Sequence, residues 1–207
     1  MLSVKARLDL EKSALFILMT IPLLITTFLF FTNGLGANPV EAATHRTGIW
    51  ALRLLILSLA VTPARIFFGW RRPIIFRRMI GLFSFAYALV HFSIYLLFDQ
   101  ELDFSQTAAD VAKRPYITVG FSALMLMVPL AVTSNSWMLK KMGAKLWRKL
   151  HQLTYVIAIL VTIHFLWLVK LDKREPAIYA GIIALLLGVR IFEKLKTAKS
   201  IKVPSSP

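Results

Sequence analysis

Six apolar stretches constrain this chain more than any other feature of its sequence. They cover 14–32, 48–68, 80–98, 116–132, 150–169 and 177–191. A helix needs about 20 mostly apolar residues to cross a bilayer. The chain is 57% hydrophobic and 17% charged, whereas soluble domains have about 45–50% and 25%. We therefore predict one all-α membrane domain over 1–207, with six spans, an uncleaved first span and a disordered tail at 196–207.

The positions of Lys and Arg predict the orientation. Of 25 such residues, eighteen fall in the terminal segments, in the second and fourth loops, or at the ends of the spans that adjoin them. Six fall in the other loops, and Arg53 lies inside the second span. Because cytoplasmic segments carry the excess of basic residues, both termini are expected in the cytoplasm.

The residues that are missing exclude several functions. The chain has no cysteine, so disulfides, iron–sulfur clusters and thiolate metal sites are ruled out. All ten Asp and Glu residues lie outside the predicted spans. A proton-coupled transporter would place acidic residues within its spans, so this absence argues against that class.

Three of the four histidines fall within or beside the spans. At about 1.5 Å per residue, His91 on the third span lies roughly 12 Å from the outer edge. His164 on the fifth span lies roughly 9 Å from the same edge, and His151 lies roughly 20 Å below His164. Two imidazoles at matched depth on facing helices are suitable axial ligands for haem iron. The alternative is hydrogen bonding between helices.

The two histidines of the fifth span present a geometric difficulty. Thirteen residues at about 100° each fall about 140° short of four turns. His151 and His164 therefore do not share one face of an ideal helix. A bend, or cofactors approached from different sides, would be needed.

Three arginines are candidate cofactor-binding residues. Arg53, inside the second span, could pair with a haem propionate or reach the outer headgroups. Arg77 and Arg78 could hold propionates or another anionic group, although contact with anionic lipid is the simpler interpretation. His45, just before the second span, could be a further ligand or touch a partner, or do neither.

Several motifs carry a resemblance to a known family. The His-x12-His pair, His91, "GLGANPVEAATHRTG", "VTPAR", "KRPYITVGF" and "LHQLTYVIAILVTIHFLWLVK" resemble the ferric-reductase-like transmembrane domain family, to which NADPH oxidases belong. The match is closer to its small bacterial members, the haem-binding subunits of periplasmic methionine sulfoxide reductase systems. The resemblance covers nearly the whole chain.

The resemblance implies an electron-transfer subunit in the inner membrane of a bacterium, rather than the subunit that reduces methionine sulfoxide. It implies b-type haem, one or two, between the third and fifth spans, and FMN, whose phosphate Arg77 and Arg78 could hold. His91, His151 and His164 correspond to the haem-ligand positions. The expected acceptor is a periplasmic molybdopterin methionine sulfoxide reductase, joined as a heterodimer, that repairs oxidised envelope proteins. The expected donor is the quinone pool or a cytosolic flavin reductase.

The chain departs from the larger relatives at one level. They carry a second histidine at the inner end of the third span, where this chain has Arg77 and Arg78. His151 then needs a different partner ligand, or the inner level holds flavin or quinone. Other readings stay open: the cytochrome b subunit of another quinol or metal reductase, a structural assembly factor, or a non-redox transporter.

Overall fold

The computed structural model describes residues 3–201, with side chains through residue 196. No strand occurs within these residues, and six helices are long and apolar enough to span a membrane. The predicted all-α class and the count of six spans are confirmed. The helices are α1 (Val4–Phe31), α2 (Pro39–Phe68), α3 (Pro73–Ile94), α4 (Phe104–Lys113), α5 (Pro115–Val132), α6 (Ser136–Met142), α7 (Ala144–Leu150), α8 (Leu153–Leu168) and α9 (Arg174–Ile201).

Several helices begin well before the apolar stretches that predicted them. α1 begins at Val4 after Ser3, whose side chain accepts from the Ala6 N–H. α2 begins at Pro39 after Asn38, which accepts from the Glu41 N–H. These caps satisfy backbone groups that a helix end leaves unpaired, so the helices extend past the apolar segment. α9 includes 196–201, which the sequence assigned to the tail, and 202–207 lie outside the described residues.

The predicted loop between the third and fourth spans contains a helix. α3 continues as a π-helical turn over Tyr95–Asp99. Glu101 and Leu102 then adopt positive φ values of 48° and 63°, which reverse the chain direction. Asp103 caps α4 by accepting from the Gln106 N–H. The Asp-x-x-Gln spacing at 103–106 is a capping signal that could have predicted this helix.

Two apolar cores hold the bundle together. One lies among α2, α5, α8 and α9, and its most buried members include Leu59, Ala123, Ile157 and Ala158. The other joins α1, α2 and α3 around Tyr87. The Tyr87 hydroxyl donates to the Met19 carbonyl oxygen at 2.7 Å, so this tyrosine locks α3 against α1 as a packing residue.

Candidate functional site: two cavities stacked along the bundle

His91 and His164 face each other across a cavity, which we call the paired-histidine cavity. Their ring centres are 6.3 Å apart, and the ring planes meet at 83°. The cavity has a volume of about 580 Å³ and is lined by residues of α2, α3, α5 and α8. The sequence predicted that these two histidines lie at one depth on neighbouring helices, and the structure brings them together.

Each of the two imidazoles is held by a backbone carbonyl of an adjacent helix. His91 Nδ1 lies 2.8 Å from the Thr44 carbonyl oxygen of α2. His164 Nδ1 lies 2.7 Å from the Tyr116 carbonyl oxygen of α5. A carbonyl oxygen can only accept, so each Nδ1 carries the proton. Nε2 of each ring is therefore the nitrogen with a free lone pair, the form of imidazole that binds metals.

A glycine lies one helical turn after each of these carbonyls. A Cβ at Gly48 would lie 3.0 Å from His91 Nδ1, and a Cβ at Gly120 would lie 2.6 Å from His164 Nδ1. Thr44 and Gly48, and Tyr116 and Gly120, thus form the same four-residue arrangement on two helices. Our sequence analysis missed both glycines as site residues. The available signal was that glycine inside a helix costs about 1 kcal/mol against alanine, so it usually has a packing reason.

The residues of the paired-histidine cavity fit a haem. A metal–imidazole bond is about 2 Å and a ring centre lies about 1 Å behind its nitrogen, so two rings on one iron have centres about 6 Å apart. The observed 6.3 Å meets that requirement. No group of three or more His, Cys, Asp or Glu that could hold a bare ion occurs among the described residues. A porphyrin supplies four of iron's ligands itself, so a histidine pair suffices.

One mouth of the paired-histidine cavity is polar. Asp110 of α4 accepts from the Tyr95 hydroxyl at 2.9 Å and forms a 2.9 Å ion pair with Arg114 Nε. Asp99 also lines the cavity. His45 lines it too, with its ring centre 6.3 Å from that of Phe165. Polar groups are thus concentrated at this end, and an apolar wall surrounds the histidine pair.

His151 lies in a second cavity, which we call the arginine cavity. It has a volume of about 450 Å³, and its lining includes Arg77, Arg78 and Arg148. Leu55 and Met127 line both cavities. A single layer of side chains therefore separates the two cavities at that point.

The α-helix is interrupted between His151 and His164. α7 ends at Leu150, His151 and Gln152 form a turn, and α8 begins at Leu153. The two histidines therefore do not belong to one uninterrupted α-helix, and the 140° offset of an ideal helix does not apply to them.

His151 is held differently from the other two histidines. Its Nε2 lies 3.2 Å from Thr133 Oγ1, while that hydroxyl donates to the Pro129 carbonyl oxygen at 2.6 Å. A hydroxyl has one proton to give, so His151 Nε2 is the donor to Thr133. The ring also stacks on Trp147, with centres 3.9 Å apart. Trp147 in turn donates to the Thr133 carbonyl oxygen at 3.0 Å.

Arg53 is not among the residues that line either cavity. Its Nε donates to the Tyr179 hydroxyl at 2.8 Å, and its guanidinium lies 5.2 Å from the centre of the Trp50 ring. These contacts join α2 to α9 on an exposed face. A role for Arg53 beside a haem propionate stays a prediction.

Comparisons with known proteins agree with this architecture. The model of the family described as ferric reductase like transmembrane component matches residues 47–162, which include His91 and His151. The chain belongs to this family of membrane proteins. No solved structure matches the chain.

Within that family the chain is similar to proteins named protein-methionine-sulfoxide reductase heme-binding subunit MsrQ. The one from Rhodospirillum rubrum is 45% identical over 201 residues, which are 97% of this chain and 97% of that protein. The one from Xanthomonas campestris pv. campestris is 48% identical over 176 residues, 85% of this chain and 80% of that protein. The one from Herminiimonas arsenicoxydans is 46% identical over 188 residues, 90% and 86% of the two chains.

Proposed function

We propose that this protein is the haem-binding electron-transfer subunit of a bacterial methionine sulfoxide reductase system. The observation that carries the proposal is the histidine pair, whose Nδ1 protons are given to Thr44 and Tyr116 carbonyls and whose ring centres are 6.3 Å apart. Three relatives, each at least 45% identical, are named as heme-binding subunits of such a system, which supports the proposal.

The residues of the paired-histidine cavity bind and orient a b-type haem. His91 and His164 would hold its iron through Nε2, and the carbonyls of Thr44 and Tyr116 fix the orientation of the two imidazole rings. Hydrogen bonds to the second nitrogen of a ligating imidazole also raise its basicity. A bound haem supplies one-electron reduction and oxidation. The apolar wall keeps water away from the iron, which favours electron transfer over ligand exchange.

The arginine cavity holds the second cofactor, with His151, Arg77 and Arg78 in its wall. FMN is the second cofactor that the family resemblance implies. Because Leu55 and Met127 border both cavities, an electron that enters at the arginine cavity has a short apolar path to the histidine pair.

The orientation follows the distribution of basic residues. The arginine cavity faces the cytoplasm, together with both termini, and the polar mouth near Asp99 and Asp110 faces the periplasm. Electrons enter from the quinone pool or a cytosolic flavin reductase. They leave to MsrP, the periplasmic molybdopterin subunit that reduces methionine sulfoxide. The spans lie in the inner membrane.

An optical spectrum tests the haem proposal. Protein purified in mild detergent from cells with ample haem supply should be red. Reduction with dithionite should give the α-band of a low-spin b-type haem. The absence of a Soret band from such a preparation would refute the proposal.

A second experiment tests the partner. Stopped-flow mixing of the reduced protein with purified MsrP should reoxidise the haem. A red protein that fails to reduce MsrP would instead be the cytochrome b subunit of another quinol or metal reductase complex.

A further inference from the structure

The two short helices α6 and α7 connect the same ends of two spans, and we call residues 136–150 the α6–α7 connection. α5 ends before it at Val132, and α8 begins after it at Leu153. Each of the two helices has seven residues and is therefore about 10 Å long. A connection this short between two membrane-spanning helices stays close to the bilayer surface at that end of the bundle.

Each of these short helices turns one face toward the bundle. Met138 and Met142, four residues apart on α6, are half-buried. Trp147 of α7 is half-buried as well, and its Nε1 donates to the Thr133 carbonyl oxygen at 3.0 Å. Most of the other side chains of the connection are exposed. The inner face thus fixes the connection to the protein, and the outer face is open to its surroundings.

The outer face combines large apolar side chains with cations. Trp137 is 63% exposed and Leu146 is 54% exposed. Lys141 Nζ lies 4.8 Å from the centre of the Trp137 ring, so a cation stands over the indole. Tryptophan is enriched at the headgroup level of bilayers, and amphipathic helices that carry Lys and Arg together with Trp and Leu lie in that layer. The outer face therefore suits the headgroup layer better than water.

The cations of the outer face have no acidic neighbour in the sequence. They are Lys140, Lys141, Lys145, Arg148 and Lys149. No Asp or Glu occurs between Asp110 and Asp172. The described ion pairs hold Arg72, Arg114 and Arg174 instead. Like charges that lie close together repel each other, so an anion beside the outer face would be stabilising.

The opposite end of the bundle has similar residues but a different balance of charge. Trp167 is 54% exposed there, and Lys170 and Lys173 follow it in the sequence. Asp172 lies among these cations and approaches Arg174 Nε to 4.0 Å. Exposed tryptophan next to basic residues is thus common to both ends. The absence of acidic residues distinguishes the α6–α7 connection, and it predicts a selectivity for anions that tryptophan alone would not give.

We propose that the outer face of the α6–α7 connection binds anionic phospholipid. The lipid phosphate lies against Lys140, Lys141 and Lys145, and Trp137 enters the headgroup layer beside it. Each basic residue near an anionic bilayer surface strengthens binding about fivefold. Because Trp147 on the inner face lines the arginine cavity, the lipid also steadies a helix that borders that cavity. The proposal rests on the six-span fold and does not depend on a bound haem or on electron transfer.

Native mass spectrometry, which resolves individual lipid-binding equilibria, tests this proposal. Phosphatidylglycerol and phosphatidylcholine with identical acyl chains are titrated into the full-length protein in mild detergent. The first phosphatidylglycerol should bind at least about tenfold more tightly than the first phosphatidylcholine, since several cations face one phosphate. Equal affinities would overturn the proposal. Complete displacement of phosphatidylglycerol by glycerol phosphate in solution would also overturn it, because the ligand would then be a free phosphate.

Charge variants of the outer face locate the lipid. The triple variant Lys140→Gln, Lys141→Gln, Lys145→Gln should remove most of the preference for phosphatidylglycerol. All three side chains are exposed, so the variant should unfold at the temperature of the wild type. The variant with arginine at the same three positions keeps the charge and should keep the preference. A preference that survives in the glutamine variant, or disappears in the arginine variant, would overturn the assignment.

The start of α1 provides a matched control at the same predicted face of the membrane. Lys5→Gln, Arg7→Gln, Lys12→Gln also removes three exposed cations, but Asp9 and Glu11 lie among them. This variant should keep the preference for phosphatidylglycerol. An equal loss in the two glutamine variants would assign the preference to the net charge of the whole face and would refute a site on the α6–α7 connection.

Discussion

The histidines of the paired-histidine cavity and of the arginine cavity are held by different hydrogen bonds. His91 and His164 donate from Nδ1 to helix carbonyls, and their Nε2 atoms stay free. His151 donates from Nε2 to the Thr133 hydroxyl, and its ring stacks on Trp147. A helix carbonyl is fixed by the backbone, whereas a hydroxyl belongs to one side chain. The first arrangement leaves two imidazole nitrogens free to bind a metal. In the second, the histidine contacts Thr133 and Trp147 and holds them in place.

The charges of the two cavities differ as well. The polar mouth of the paired-histidine cavity has both signs, with Asp99, Asp110 and Arg114. In the described lining of the arginine cavity, the charged side chains are all arginines. A ligand held by coordination does not need a charged wall, whereas a ligand held by charge does. The comparison teaches that two cavities in one bundle can offer a ligand different forces, coordination in one and charge in the other.

The largest expected effect comes from removing an axial ligand. His91→Ala and His164→Ala should each abolish the same low-spin haem band, because both side chains are proposed to bind one iron. The loss in haem retention should exceed about tenfold, since even second-layer partners of metal ligands are worth about 10–100-fold. The measurement is the dithionite-reduced minus oxidised spectrum at equal protein concentration.

His151→Ala is the matched comparison, because it removes an imidazole from the other cavity. It should leave the α-band of the paired-histidine haem in place. Equal losses in His91→Ala and His151→Ala, with His164→Ala unaffected, would show that the pairing of histidines is wrong.

Adding one methyl group beside each imidazole should have the next largest effect. Overpacking costs about 1–3 kcal/mol, which corresponds to about 5- to 150-fold weaker haem retention. Gly120→Ala should lose more haem than Gly48→Ala, because its Cβ would approach its imidazole to 2.6 Å rather than 3.0 Å. Haem dissociation to an excess of apomyoglobin measures the difference.

Gly181→Ala provides the control for a new methyl group in a helix. No atom lies within 4 Å of a Cβ at that position, so haem retention should not change. If Gly120→Ala behaved like Gly181→Ala, the close fit of His164 against α5 would not contribute to the site.

The sequence predicted the six spans and the depth of His91 and His164 because both depend on chain length and rise per residue. It did not predict the Thr44 and Tyr116 carbonyls, since any residue has a carbonyl and only the helix packing selects one. It also placed His151 and His164 on one helix. The turn at His151–Gln152 accompanies a contact between His151 and Thr133, which lies 18 residues earlier in the chain and leaves no local sequence signal.

A smaller effect is expected from Thr133→Val. The variant keeps the shape of the side chain and removes the hydroxyl that accepts from His151 Nε2. The variant should lower the free energy of unfolding by about 1 kcal/mol, the cost of a lost hydrogen bond with a partner left unpaired. Thr26→Val is a close control, since Thr26 is also buried and also donates to a proline carbonyl four residues earlier, at 2.7 Å. Thermal unfolding in one detergent should show a larger drop for Thr133→Val, and equal drops would mean that the His151 contact adds nothing.

The smallest effect concerns the acidic residues at the rim of the paired-histidine cavity, which could attract a partner protein. Asp103 and Asp110 are engaged within the protein, because Asp103 caps α4 and Asp110 contacts Tyr95 and Arg114. Asp99 and Glu101 are exposed, so their charges can act on an approaching protein without supporting the fold.

The double variant Asp99→Lys, Glu101→Lys should slow haem reoxidation by MsrP about two- to fivefold at low salt, since rim charges mainly steer association. The difference should shrink above 0.1 M salt, where the Debye length falls below about 10 Å.

Asp172→Lys changes an exposed charge on the same predicted face, away from the cavity, and should leave the rate unchanged. Stopped-flow traces that are identical for the double variant and the wild type would remove this rim from the docking surface, while an equal slowing by Asp172→Lys would reduce the effect to the net charge of the whole face.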